Sequence, residues 1–316
     1  MVVNKKGNEL LVVHKGDHSI GFYDLESGEM TTRIEIDIFP HEFALTPDHR
    51  YAYVSHFGVA LAEDEGSGGR YISVIDLRDR RRVGRLDCGR SRRPHGIALD
   101  GMGRLFVLSE AASRMLLAAE PLSLKFDQDQ PTGGRGSHIL SVTSDGGLAF
   151  SSNMRSDTVS VLFPNEPKRS PIVIPVGMRP EGSLLNKEES LLYVANRESA
   201  DIAVIDVKGF HVAGRIETKP GPVRLCGSRT GALLIALYHD RSVAVVDPER
   251  PEAQTFIALP EKPVSISYDA ETDLAFVSTL GDEVVVLDVT KRAIRRKIET
   301  RQDPDPTALL RIVPER

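Results

Sequence analysis

A segment of about 42 residues recurs along the chain, and a repeat of that length narrows the possible folds more than any other feature. The copies read FPHEFALTPDHRYAYVSH, RPHGIALDGMGRLFVLSE, GSHILSVTSDGGLAFSSN, RPEGSLLNKEESLLYVAN, GPVRLCGSRTGALLIALYH and KPVSISYDAETDLAFVST. Each has an anchor residue, an apolar run, a polar turn and a second apolar run. The anchors are Pro40, Pro94, Ser137, Pro180, Pro222 and Pro263, spaced 54, 43, 43, 42 and 41 residues apart, and Pro306 follows 43 residues later. A third run ending near an aspartate comes next (YISVIDL, IAVIDV, VVVLDV), and in most copies a fourth (RRVGRLD, HVAGRIE, AIRRKIE). Four strands per unit make the blade of a β-propeller. The middle runs are almost continuously apolar and β-branched, as suits strands covered on both faces by neighbouring blades. No amphipathic helix of 10–15 residues separates the strands, which argues against a parallel α/β fold.

The expected fold is therefore all-β: a seven-bladed β-propeller of four-stranded antiparallel blades, with residues 1–316 as one domain. The first copy lacks its opening strand, since only Met1–Asn4 precede the turn into NELLVVHK. The segment after Pro306 supplies one strand with no successor. Closure of the ring follows, with Leu309, Leu310 and Ile312 pairing near Leu10–Val13 and removing two free edges.

Tyr193-Val194-Ala195-Asn196, the Val204–Val207 stretch VIDV and the Pro-x-Gly turn at Pro180–Gly182 resemble the YVTN repeat. Tyr53-Val54-Ser55-His56 and Pro94-His95-Gly96 are degenerate copies, so the resemblance spans essentially the whole chain. It implies a propeller of the kind found in surface-layer repeats, lactonase-like enzymes, metal-dependent lyases and haem- or quinone-linked proteins. The absence of tryptophan sets the chain apart from Trp-Asp propellers.

In an up-and-down blade, two positions converge on one mouth of the central channel. The residue after the anchor reads His41, His95, His138, Glu181, Val223, Val264 and Thr307; the end of the second strand reads His14, His56, Glu110, Asn153, Asn196, His239 and Thr279. Six of the nine histidines fall in these two sets. His41, His95, His138 and Glu181 form a coherent donor set for a divalent ion such as Zn²⁺, Mn²⁺, Fe²⁺ or Ni²⁺. Lactonase-like propellers bind metal mainly through carboxylates and amides, so the resemblance, with this His-rich set, points more to the lyases. The expected chemistry is metal-dependent C–O bond cleavage of a small oxygenated or carboxylated substrate, lyase ahead of lactonase-type hydrolase. His239 or Glu42 is the expected proton acceptor, and Arg93 and Arg179, just before two anchors, are placed to bind a substrate carboxylate. A non-catalytic scaffold binding a protein or cofactor on this face, or an Fe(II)-dependent oxygenase, are the alternatives. The segment Phe57–Arg70 is about 11 residues longer than its counterparts and glycine-rich, as a lid over the mouth would be.

The remaining features exclude rather than assign. A net charge of −5 does not suit a nucleic-acid binder, and the basic runs Arg78–Arg85 and Lys291–Lys297 fall on outer strands, where charge discourages edge pairing. No apolar run approaches a membrane span, and no signal peptide is visible, so a cytoplasmic protein acting on a small molecule is expected, with a monomer compatible. Cys88 and Cys226 are too few for a disulfide framework.

Overall fold

A computed structural model describes residues 9–60 and 64–311. They form seven antiparallel sheets of four strands each, arranged in a ring. The strand nearest the channel begins at the repeat anchor in each blade: Pro40–Leu45, Pro94–Leu99, Ser137–Val142, Pro180–Leu185, Pro222–Gly227 and Pro263–Asp269 in blades 2 to 7. Proline suits this position, because its fixed φ starts an extended strand on the channel side, where no ladder donor is needed.

Blade 1 is closed by the C-terminal segment. Pro304–Leu310 pairs antiparallel with Glu9–His14, Leu309 opposite Leu10 and Leu310 opposite Glu9. Ile312, also expected in this pairing, lies outside the described residues, as do Met1–Asn4. The innermost strands pack against one another around the whole ring, including Pro304–Leu310 against those of blades 2 and 7.

Apolar clusters fill the spaces between successive blades. One joins Leu11, Val13 and Phe22 of blade 1 to Val54 and Ile75 of blade 2; another joins Leu10, Val12 and Leu309 to Phe276 and Val286 of blade 7. Successive residues of one strand thus serve opposite neighbours, and both faces are apolar for that reason. The two basic runs lie around the outer strands Arg81–Asp87 and Ala293–Glu299, as the sequence indicates. No helix of the described residues is long and apolar enough to cross a membrane.

Candidate metal centre

Each innermost strand gains one residue just after its anchor. Pro40 faces His56 while Phe43 faces Val54, and the same slip follows Pro94, Ser137 and Pro180. Such bulges turn a side chain out of the sheet alternation. The structure brings His41, His95 and His138 together on three adjacent blades. The His41 and His95 ring centroids are 4.0 Å apart, and those of His95 and His138 are 3.7 Å apart.

The bulges also press on one another. A Cβ on Gly96 would lie 2.5 Å from the His138 carbonyl oxygen, and one on Gly182 would lie 2.6 Å from that of Val223. Only glycine permits this approach of backbone to backbone. Gly96→Ala is expected to cost about 1–3 kcal/mol of stability by overpacking and to shift His138. Denaturant unfolding, read together with metal content, checks both effects.

Two positions of the sequence reading are corrected. The anchor of blade 1 is Pro304, opposite His14, rather than Pro306. The residue that joins the ring is therefore Asp305, which is 2% exposed. Thr307 instead bonds the hydroxyl of Ser267 on the neighbouring strand at 2.8 Å. In the second set five of seven positions stand, and two are displaced: Ser109 takes the place expected for Glu110 and Leu237 that expected for His239. Residues directly opposite the anchors are His14, His56, Ser109, Asn153, Asn196, Leu237 and Thr279. Four of them bond within the top of their own blade. His14 contacts Ser19 and Tyr23, His56 contacts Ser73, Asn153 contacts Ser160, and Asn196 contacts Asp201. The residues that reach the histidine cluster and its carboxylates come one later: Lys15, Phe57, Glu110 and Arg197. A shift of one residue swaps the face of a strand, so neighbours along the chain serve different surroundings. His239 lies two residues beyond Leu237, exposed and edge-on to Tyr238. The structure does not bring it to the other candidates.

Burial lowers the pKa of both His14 and His56 to about 4. The folded protein thus resists protons that the unfolded chain binds at its ordinary value near 6.5. Their contribution to stability is complete above pH 6.5 and is lost as the pH falls toward 4, by roughly 2 kcal/mol per histidine at pH 5. Urea midpoints at pH 7.5 and 5 should show this loss, and the His14→Gln/His56→Gln double variant should show a shallower pH slope.

The cluster is ringed by carboxylates with assigned partners. Glu110 Oε2 lies 3.0 Å from His138 Nδ1 and accepts a hydrogen bond from it, with Arg155 3.6 Å from the other oxygen. Asp305 Oδ2 is 3.4 Å from His41 Nδ1 and 2.8 Å from Lys15 Nζ. Glu42 is 2.8 Å from Arg224, a bridge that spans the channel from blade 2 to blade 6. Glu181 is bound by Arg197 at 2.9 Å, with Arg179 at 3.5 Å and Arg224 at 3.8 Å. Burial, the largest single influence, would raise these glutamates, but their charged and hydrogen-bonding neighbours together outweigh it: His138 with Arg155 at Glu110, His138 with Arg197 and Arg224 at Glu181, and Arg224 with His41 at Glu42. All three are held below the usual carboxylate range. Burial pushes His41 down and His95 well down, the latter helped by its neighbouring imidazoles.

His95 is 1% exposed, and neither of its ring nitrogens has a hydrogen-bond partner. It belongs to both groups of donor atoms close enough to share an ion: His41, Glu42 and His95, and His95, Glu110 and His138, each within 4.8 Å. Glu181 is in neither, its oxygens being occupied by guanidinium groups.

The sequence reading missed Asp305, Lys15, Arg197 and Arg224. Arg224 stands two residues after its anchor, as Glu42 does, and a bulge turns both such positions toward the channel. Of the two arginines expected to bind substrate, Arg179 is at the cluster, beside Glu181. The Arg93 guanidinium donates to the carbonyls of Asp64 and Gly66, tying down the long loop. The first residue of that loop, Phe57, packs edge-on against His41 and His95.

No family model matches the chain, and no curated protein matches it in sequence. Solved structures do match in fold. The periplasmic gluconolactonase of Pseudomonas aeruginosa superposes with a TM-score of 0.77 at 16% identity, covering 96% of this chain and 99% of that one. Hydrazine synthase of Kuenenia stuttgartiensis gives 0.74 at 14% identity, over 89% and 92%. Virginiamycin B lyase from Staphylococcus aureus gives 0.68 at 11% identity, over 83% and 84%. These likenesses establish the propeller fold.

Proposed function

We propose that the protein is a metal-dependent enzyme that cleaves a C–O bond of a small carboxylated substrate, by elimination ahead of hydrolysis. The observation that carries this reading is His95, a buried imidazole with two unpartnered nitrogens, flanked by His41 and His138. An orphaned buried donor costs free energy unless a ligand satisfies it. Two imidazoles and a carboxylate, either His41, His95 and Glu42 or His95, His138 and Glu110, place three donor atoms within 4.8 Å of one another and suit a divalent ion such as Zn²⁺, Mn²⁺, Fe²⁺ or Ni²⁺. Glu110, hydrogen-bonded to His138 Nδ1, is a carboxylate of the kind that orients a metal-binding histidine and leaves its Nε2 for the ion, while His41 Nδ1, 3.4 Å from Asp305, has no hydrogen-bond partner. Glu181, placed in the donor set by the sequence, is better read as the partner of three arginines.

When bound, the ion would supply a Lewis acid that polarises the substrate carbonyl or carboxylate and acidifies the adjacent C–H. Glu42 is the proposed acceptor of that proton, in preference to the distant His239. Arg224 holds Glu42 ionised and weakly basic; a substrate carboxylate that draws Arg224 away restores its basicity. As the C–H pair forms the new C=C bond, the C–O bond breaks and the oxygen leaves with its electrons. Phe57 roofs the histidines and limits water, which favours elimination over hydrolysis.

The fold is compatible with this chemistry, since the like-folded proteins include a lactonase and a lyase. The Tyr193–Asn196 and Val204–Val207 motifs support membership of the YVTN-repeat propellers. The test is elemental analysis of the purified full chain, with melting curves before and after chelation. About one divalent ion per chain, with its removal lowering Tm, is the expected result. A metal-free protein whose Tm ignores added Zn²⁺, Mn²⁺, Fe²⁺ and Ni²⁺ would overturn the reading and leave a channel bridged by Glu42–Arg224, a binding platform.

A further inference from the structure

Beside the histidines, the mouth changes character from blade to blade. On blade 5, the single carboxylate of Glu181 faces three guanidinium groups, those of Arg179, Arg197 and Arg224. Arg224 is shared with Glu42 at 2.8 Å and with the Val223 carbonyl at 3.1 Å, so the unmet donor capacity lies with Arg197. Arg197 shows the surplus directly: its Nε is buried and makes no hydrogen bond. The group is also held in place, its Cζ lying 4.4 Å from the Tyr238 ring centroid. A planar cation fixed by stacking, with an unused N–H, is preorganised for a second carboxylate.

The next two blades present no charge at the equivalent positions. Val223 and Val264 stand where blades 2 to 5 carry His41, His95, His138 and Glu181, and Leu280, one residue past the second strand of blade 7, is 45% exposed. On blade 6 the Tyr238 ring carries Arg197 and, 5.0 Å from its centroid, the Lys262 ammonium. Cationic, aromatic and aliphatic groups therefore follow in order around one rim, opposite the imidazoles.

Resting on the functional reading above, we infer that the substrate is an amphipathic monocarboxylate. Its carboxylate pairs with Arg197 and Arg224, and its aliphatic body lies along Tyr238, Val264 and Leu280. The apolar arc selects against compact, fully hydroxylated acids, which would leave hydroxyls unpaired against valine and leucine.

The experiment is calorimetric titration of the full-length protein with straight-chain monocarboxylates from acetate to decanoate, and with the matching alcohols and amines, with and without chelator. Affinity for the acids is expected to rise by up to about fourfold per methylene until the arc is filled, with alcohols and amines binding far more weakly. Leu280→Ser and Val264→Ser should flatten the chain-length dependence while leaving acetate affinity unchanged. Arg197→Gln should weaken every acid by tenfold or more without altering that dependence, and circular dichroism of each variant confirms that it is folded. Alcohols binding as well as acids, a chain-length dependence untouched by the two serine variants, or no acid binding at all would overturn the inference. Because the clamp contains no metal ligand, acid binding that survives chelation in a protein found to carry no metal would uphold it while refuting the metal-dependent function.

Discussion

His95→Ala should abolish metal binding while leaving a folded propeller. His95 is the middle of the three imidazoles, 4.0 Å from His41 and 3.7 Å from His138 by ring centroids, and both possible donor groups include it. Its loss leaves His41 and His138, whose rings approach each other only through it, and neither group keeps three donors. Loss of an outer partner of a metal-binding histidine typically costs 10–100-fold in affinity, so loss of this donor should cost more. Occupancy after dialysis is expected to fall from about one ion per chain to near zero. The variant's Tm should match that of chelated wild type, and chelator should no longer move it. His211→Ala, on an outer strand and exposed, should bind metal as wild type does. Glu110→Gln should fall between: it keeps a partner for His138 but loses the charge that strengthens it as a donor. Equal metal content in the His95 variant and wild type would refute the site.

The outcome depends on register, and register was also the limit of what could be read from the sequence. Repeat length and the anchors led directly to seven blades and to His41, His95 and His138, because each follows its anchor by one residue even where the long loop stretches one spacing to 54 residues. What was hidden came from local slips. The segment Asp303-Pro304-Asp305-Pro306 offers two prolines, and spacing alone favours Pro306 as readily as Pro304. Only the pairing of Pro304 with His14 puts Asp305 on the ring. The bulges add a second channel-facing position per blade, and so the Glu42–Arg224 bridge across 182 residues of sequence had no visible signal. Five of the second set end their strands as expected but do not face the channel, for a related reason. His14 and His56 end their strands with the alternation pointing into the blade, where a buried histidine needs hydroxyl and carbonyl partners and has them. A histidine at a repeat position thus marks either the channel or the packed blade top, and one residue of register decides which.

Removal of residues 304–316 should have the largest effect on the fold itself. Pro304–Leu310 is the innermost strand of blade 1, and among the described residues no other segment pairs with that edge of Glu9–His14. Without it, Glu9–His14 becomes an open edge of buried apolar residues (Leu10, Leu11, Val12 and Val13 are all 0% exposed). Leu309 and Leu310, 6% and 2% exposed, contribute roughly 1.5–3 kcal/mol each by burial. Each ladder hydrogen bond adds about 1 kcal/mol, and contacts to the inner strands of blades 2 and 7 are lost as well. The sum approaches the ~5–15 kcal/mol by which a typical protein is stable. Lys15 simultaneously loses its partner Asp305. The truncated chain is expected to be insoluble, or to melt far below the full-length protein. A synthetic peptide of residues 304–316, added during refolding, should restore solubility and a cooperative melt, since closure requires the strand rather than its covalent link. The peptide with Leu309→Asp and Leu310→Asp should fail to rescue, because it places charge in the space between blades. A truncated protein that melts with the full-length chain would show that the other strands of the described residues close the ring without it.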